Sequence, residues 1–426
     1  TAEKNPSRPP EDVNTLLAKS EQAYADKNWV LLYANNMKLL KLRPYSPEAM
    51  LNIVRAAAQL GRRSTALHYM LKMQQQGLSY DFNTVEETVP LRGTEAYDHI
   101  NGLLVEAGQP SGDGSRAFTL AGDPTDFSDI AWAESRGKFL LATRKEGRVI
   151  AVAPDGTADE LLRANEFNGF WSINGITVDA GNNRLWMTTS ATPAFDGLSP
   201  TDLNRGALLE YELDSLRPVA WHNVPVDGLV HELGHLAMAE NGDIYMVDWA
   251  TPIIYRKKAA SKKLEAFAGS TKLVQLTDIA VAPDSSRLFV ADAELGVLLI
   301  DPKTRRSAML AGDENLNLGG VYGLEFVGGN LLVMQSGISP QRLLRLEIDA
   351  GGTSVTNVSP MAINLPGFDV PGASVIRDEK VFYLANQGSM SGAGTLEVME
   401  TPLDAGSNIK PPDMRQFEKA LRARQN

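Results

Sequence analysis

A pattern of two apolar, roughly alternating stretches joined by a turn returns six times along this chain. The copies are SDIAWAESRGKFLLAT from Ser128, NGITVDAGNNRLWMTT from Asn174, GHLAMAENGDIYMVD from Gly234, TDIAVAPDSSRLFVAD from Thr277, YGLEFVGGNLLVMQS from Tyr322 and PGASVIRDEKVFYLAN from Pro371. A strand-built repeat of ~40–50 residues cannot bury its apolar surface alone, and its neighbours must cover it; this predicts a ring of four-stranded blades, a six-bladed β-propeller. Blade 4 reads in full as DIAVAP, RLFVADAE, GVLLIDPKT and RSAMLAGD, whereas blade 6 supplies only ASVIRD, KVFYLAN and TLEVMETPL. The segment RAFTLAG from Arg116 matches the outer strands of other blades. Pairing 116–122 with blade 6 closes the ring and removes its bare edges, so the propeller is expected over 116–403.

Before the ring, apolar residues recur at helical spacing, first Leu16, Leu17, Tyr24, Leu31, Leu32, Met37, Leu40 and Leu42, then Met50, Ile53, Val54, Ala57, Leu60, Leu67, Met70 and Leu71. Pro44 and Pro47 separate two helical pairs, and Gly61 and Gly77 break and end the second. SPEAMLNIVRAAAQLGRRSTALHYMLKMQQQG resembles a tetratricopeptide repeat, with Gly61 at its turn and Ala66 at its small packing position, and 12–43 reads as a degenerate first copy. The expected organisation is therefore multidomain: a flexible N-terminus over 1–11, an all-α tetratricopeptide-like domain over 12–108, a Pro/Gly/Ser-rich linker over 109–115, the all-β propeller, and a tail over 404–426 with a short helix at RQFEKALRAR. A solenoid this short presents a concave groove for a protein partner or serves as a spacer docked on the ring.

Composition narrows the function classes. Of 426 residues, 43% are hydrophobic and 22% charged, enough for a large core, and no apolar run reaches the ~18 residues of a membrane span. A net charge of −11 argues against nucleic acid as a partner. The absence of cysteine excludes disulfides, thiolate zinc sites and cysteine nucleophiles. The first residue is Thr1 rather than Met, and the polar opening TAEKNPSRPPED reads as a mature N-terminus or linker; a periplasmic or secreted location is expected ahead of a cytoplasmic one.

The ITVD and IAVAPD inner strands, each followed by RLWMT or RLFVAD, resemble the broad group of gluconolactonase, regucalcin, strictosidine-synthase-like and NHL-repeat propellers. The resemblance covers about two-thirds of the chain. Loops entering the inner strands and leaving the second strands converge on one mouth, which is the default binding site. They bring Arg144, Trp171, Asn174, Asp248, Trp249, Asp292, Tyr322, Gln335 and Asn386 there, and the long loop 188–207 is a candidate lid or partner contact. HELGH, from His231, matches the H-E-x-x-H spacing of zinc peptidases. That chemistry needs a helix, and this segment reads as a loop running into a strand, so a zincin peptidase is not expected. His231, Glu232, His235 and Asp278 remain the candidate catalytic set, an imidazole beside a carboxylate being a suitable general base near neutral pH.

Gluconolactonase-like enzymes hold a divalent cation on the channel axis, which implies calcium here with Asn174, Asp129 and Asp278 as its oxygen ligands. Asn174 occupies the family's ligand position before a glycine, but Ser128, Gly234, Thr277, Tyr322 and Pro371 stand at the equivalent places. Asp129 and Asp278 lie one residue later, where strand alternation is expected to turn their side chains elsewhere. Two readings follow. One is a protein-binding or assembly protein of the bacterial cell envelope that uses the helical repeat and the propeller mouth, the mouth also admitting a small molecule. The other is a divalent-metal-dependent lactonase or esterase of gluconolactonase or paraoxonase type.

Overall fold

The six repeats form six antiparallel sheets packed side by side in a closed ring. The computed structural model describes residues 12–165, 168–388 and 394–406; the expected N-terminal segment 1–11 and the tail helix RQFEKALRAR lie outside them. The inner strands are Phe127–Ala133, Ser172–Asp179, Leu233–Met238, Leu276–Val281, Val321–Val327 and Ser374–Arg377, for blades 1 to 6. Second strands such as Leu288–Asp292 and Asn330–Gln335 read as nearly continuous apolar runs because both sheet faces are covered. The apolar core accordingly lies between blades rather than within them. Tyr245, Val247 and Ile254 of blade 3 pack on Ile279, Leu288 and Val290 of blade 4, and each neighbouring pair of blades repeats this arrangement.

Blade 6 is completed by the strand Ser115–Ala121, which pairs with Thr395–Pro402 in the register Ser115↔Glu400. An aromatic cluster fills the seam this creates. Phe139 is 1% exposed and meets Phe118, Trp132 and Phe382 at ring-centroid distances of 5.3, 4.8 and 4.8 Å, while the Arg377 guanidinium covers Trp132 at 3.7 Å. Truncating Phe139 leaves a cavity where the first blade, the last blade and the closing strand meet. Phe139→Ala is expected to cost about 3–5 kcal/mol, measured as a lowered urea midpoint.

The stretch 109–115, expected as a linker, carries the two-residue strand Ser111–Gly112, which adds a fifth strand to blade 5 against Val355–Ile363.

Among the described residues, five α-helices precede the ring: α1 Val13–Ala25, α2 Trp29–Leu42, α3 Pro47–Gln59, α4 Arg63–Gln75 and α5 Glu95–Glu106. Asp12, Asn28 and Ser46 cap the first three by accepting from the backbone N–H groups of Thr15, Leu31 and Ala49. Gly77 ends the fourth helix at φ +66°, the left-handed conformation a glycine adopts without strain. The first pair differs from the sequence reading in which face it buries. Leu16, Ala23, Leu32 and Leu39 point inward, while Leu17, Tyr24, Leu31 and Leu42 are exposed. No described helix is long and apolar enough to cross a membrane.

A shared irregularity sets the geometry of the channel. In blades 1 to 5 the pairing of the inner strand with the second strand slips near its start: at Phe127/Asp129, Ile173/Gly175, Leu233/Leu236, Leu276/Asp278 and Val321/Gly323. Ser128, Asn174, Thr277 and Tyr322 are the extra residues of these β-bulges, and a bulge re-aims the side chains around it. Their polar groups stitch neighbouring blades together. Ser128 Oγ donates to the Ile173 carbonyl at 2.7 Å, Thr277 Oγ1 to the Val321 carbonyl at 2.7 Å, and Asn174 Nδ2 to the Leu233 carbonyl at 2.7 Å.

Candidate functional site

Because of those bulges, Asp129 and Asp278 face the channel axis, against the expectation from simple alternation. Each also clasps the next blade: Asp129 accepts from the Ile130 and Ile176 N–H groups, both at 2.8 Å, and Asp278 from Ile279 at 2.8 Å and Leu324 at 2.7 Å. Between them stands His235, with Nδ1 3.1 Å from Asp278 Oδ1 and Nε2 3.0 Å from the Ser128 carbonyl. Both partners are acceptors, so both ring nitrogens carry protons. Burial opposes the charge on this imidazolium, but Asp278 and Asp129 outweigh it and push its pKa up to about 10. Burial raises the Asp129 carboxyl to about 6 against the pull of His235. Glu325, half-buried on the axis, is driven well above the ordinary carboxylate range by desolvation, then by Asp278 and Asp129.

His235 divides the channel. Below it lies a cavity of about 340 Å³ lined by Asp129, Asp278, Glu325 and Ser374; above it, at the mouth, lies a second of about 340 Å³. The mouth cavity takes in Arg144, Glu232, Trp249 and Tyr322 of the expected residues, and adds Phe127, Gln275, Val370 and Gln387. Trp249 forms one wall, with its indole N–H on the Thr277 carbonyl at 3.0 Å. A Cβ on Gly234 would come within 2.2 Å of that indole, which is why a glycine precedes His235.

Several other expected site residues perform structural work. His231 does not reach the channel: it lies 3% exposed between Asp248 Oδ2, 2.6 Å from Nδ1, and Asp227 Oδ1, 2.9 Å from Nε2. Burial works against its charge, but the two carboxylates raise its pKa overall. With acceptors on both nitrogens, neither His231 nor His235 offers the free lone pair a general base or a metal ligand needs. Asp248 and Asp292 are fully buried turn-holders; the first accepts from the Glu232, Ala250 and Thr251 N–H groups, the second from Val274, Glu294 and Leu295. Asn386 likewise holds Glu397 N–H and the Thr395 carbonyl. Trp171 packs on Trp221 and points its indole N–H at Asp202, 3.4 Å away in the long loop. That loop reaches across to blade 1, Asp196 N–H donating to the Lys145 carbonyl, and none of residues 191–205 lines the mouth cavity.

The donor set does not fit calcium. Both axial aspartates have their oxygens occupied by backbone N–H groups, and an imidazolium already supplies the positive charge between them. Asn174 has a buried Oδ1 with no hydrogen-bond partner, but it lines neither axial cavity. Among the described residues, no group of three or more His, Asp or Glu side chains is arranged to hold a metal ion.

No family model matches the chain, and no curated protein matches its sequence. Solved structures do resemble it. The PQQ-bound aldose sugar dehydrogenase of Streptomyces coelicolor is 14% identical, with a TM-score of 0.49, over 69% of this chain and 99% of its own. A luciferin-regenerating enzyme is 13% identical, with a TM-score of 0.48, over 71% and 98%. A protein described as a putative gluconolactonase is 11% identical, with a TM-score of 0.47, over 69% and 93%. At these values the likenesses carry no argument about activity.

A larger concavity lies away from the axis. Between the helical layer and the loops of blades 4 and 5 is a cavity of about 1000 Å³. Its helical wall carries a polar ladder across α1, α2 and α3, in which Asn36 Nδ2 donates to Ser20 Oγ at 3.3 Å and Arg55 Nη1 to Asn52 Oδ1 at 3.1 Å. Leu17 and Tyr24, 42% and 40% exposed, stand beside the ladder, Tyr45 joins them from the α2–α3 connection, and Glu294, Gly320 and Ile338 close the propeller side. The junction itself is built on Arg342, which donates through Nε to Gln335 Oε1 at 2.7 Å and through Nη1 to the Gln76 and Gly77 carbonyls at 3.1 and 2.9 Å. Gln335, expected at the mouth, is thus a buried part of this seam. Gln335 Nε2 donates to the Asn317 and Gly319 carbonyls, and Asn317 Nδ2 to the Tyr45 carbonyl at 3.1 Å. Nothing in the sequence pattern marks these residues, because they are distant in the chain and ordinary in type.

Proposed function

We propose that this chain is a protein-binding or assembly protein that holds an extended segment of a partner in the groove between its helical layer and blades 4 and 5. The observation that carries this reading is the make-up of the groove. The carboxamides of Asn36 and Asn52 and the guanidinium of Arg55 line its helical wall beside Leu17, Leu39 and Leu51, and such groups pair with the alternating N–H and C=O of an extended peptide backbone. The exposed Leu17 and Tyr24 supply apolar contact for its side chains. The consecutive packing of α1 to α4 supports reading this arm as a short tetratricopeptide-like repeat. The metal-dependent hydrolase reading lacks its ligand set, since the axial carboxylates are taken up in joining blades.

The test is selection of short random peptides on the full chain. Peptides enriched on the wild type are expected to bind Asn52→Arg about tenfold more weakly, the worth of one or two lost hydrogen bonds and a blocked groove. Leu17→Ala should weaken them by less. If no peptide is enriched, or if enriched peptides bind Asn52→Arg as well as the wild type, the groove is not the site.

A further inference from the structure

The mouth cavity above His235 combines groups that the fold leaves unused. Arg144 forms no ion pair and no side-chain hydrogen bond among the described residues, and its Nε is buried without a partner. Glu232, half-buried in the same cavity, likewise has its carboxylate unpaired among the described residues. The two are near enough to influence one another, yet they lie beyond ion-pair distance: burial raises the Glu232 pKa, with Arg144 opposing. Two opposite charges held apart in one small cavity are each incompletely satisfied, and a ligand that carries both signs satisfies both. One part of the wall is aromatic and apolar, formed by Phe127, Trp249, Tyr322 and Val370, and the rest is polar, with Thr125, Gln275, Thr277 and Gln387. At about 340 Å³ the cavity lies at the small end of the ~300–1,000 Å³ range of ligand sites.

We propose that the propeller mouth binds a free α-amino acid with an apolar or aromatic side chain, its carboxylate on Arg144, its ammonium toward Glu232 and its side chain against Trp249 and Tyr322. A simple anion would leave Glu232 facing unpaired charge, and a simple cation would do the same to Arg144. The Trp249 wall is fixed by its hydrogen bond to Thr277 and by the close approach that Gly234 permits, so the site is formed before the ligand arrives. This site is separate from the groove beside the helical layer and does not depend on a partner protein binding there.

The experiment is calorimetric titration of the full chain, together with its thermal shift, using L-phenylalanine, L-leucine, L-phenylalaninamide and 3-phenylpropanoate. Phenylalanine is expected to bind about tenfold more tightly than the amide, which lacks the carboxylate, and than phenylpropanoate, which lacks the ammonium. Arg144→Met should erase the preference over the amide. Glu232→Gln should erase the preference over phenylpropanoate while retaining carboxylate dependence. Comparison of the probes on the wild type keeps the test valid if either variant folds poorly. The proposal fails if neither amino acid binds, if phenylpropanoate binds as tightly as phenylalanine, or if both folded variants keep the wild-type order.

Discussion

Replacing His235 with leucine is expected to destabilise the protein by about 3–5 kcal/mol near neutral pH, because Asp129 and Asp278 then lose the charge that balances them. The pH dependence distinguishes this from loss of packing. A group whose pKa is raised on folding contributes stability below its unfolded value, and that contribution is lost as pH climbs through the folded value. For His235 the window runs from its ordinary 6.5 up to about 10. The raised Asp129, at about 6, acts in the same direction from its ordinary 3.8 upward, and so does Glu325. Urea midpoints of the wild type should therefore fall across the histidine window, while in His235→Leu only the smaller fall due to the raised carboxylates remains. Parallel falls in the two proteins would show that His235 is not the titrating group.

The second large effect concerns the seam between helices and ring. Arg342 is 5% exposed and, among the described residues, neutralised by no carboxylate; its partners are carbonyl and carboxamide oxygens, and burial pulls its pKa down to about 10. The Gln76 and Gly77 carbonyls it reaches belong to the end of α4, where the helix dipole favours a cation. A Cβ at Gly77 would lie 2.5 Å from Arg342 Nη1, so the glycine that ends the helix also admits the guanidinium. Arg342→Met strands two buried acceptors and a half-buried one and is expected to cost about 3 kcal/mol, concentrated in the helical layer. Calorimetry should resolve an earlier helical transition ahead of an almost unchanged propeller transition, with new proteolytic cleavage near 76–80. A single transition shifted as a whole would mean that arm and ring unfold as one unit.

The ring was legible in the sequence because each blade must repeat the same burial problem, and the repeat records it in apolar spacing. Recognition of HELGH as a loop running into a strand followed from the same register. The direction of Asp129 and Asp278 was not legible. Two-residue alternation turns them from the axis, and only the bulge at Ser128 and Thr277, a backbone irregularity with no residue signature, turns them back. Glu325 was missed for a related reason: two residues past Gly323 it reads as one polar position in an alternating strand. Asp248, Asp292 and Gln335 were placed at the mouth from their position after the second strand, yet acceptors there serve backbone N–H groups or the Arg342 seam. The groove depends on how two separately legible units dock, and docking leaves no periodic trace.

The seam of the ring also bears on how the protein is made. Ser115 pairs with Glu400, so the strand that follows the helical layer leaves the ribosome early and waits for almost the last residues of the propeller. Until then the sheet edges at both ends of the unfinished ring stay open, the condition in which strands pair with the wrong neighbour. The helices, built from local contacts, complete themselves long before. Synthesis thus places a finished helical layer next to an unsealed ring, which closes only when the two ends of the propeller segment meet. A circular permutant opened between blades 2 and 3 would move that wait to another seam and leave the helices attached to a strand already paired.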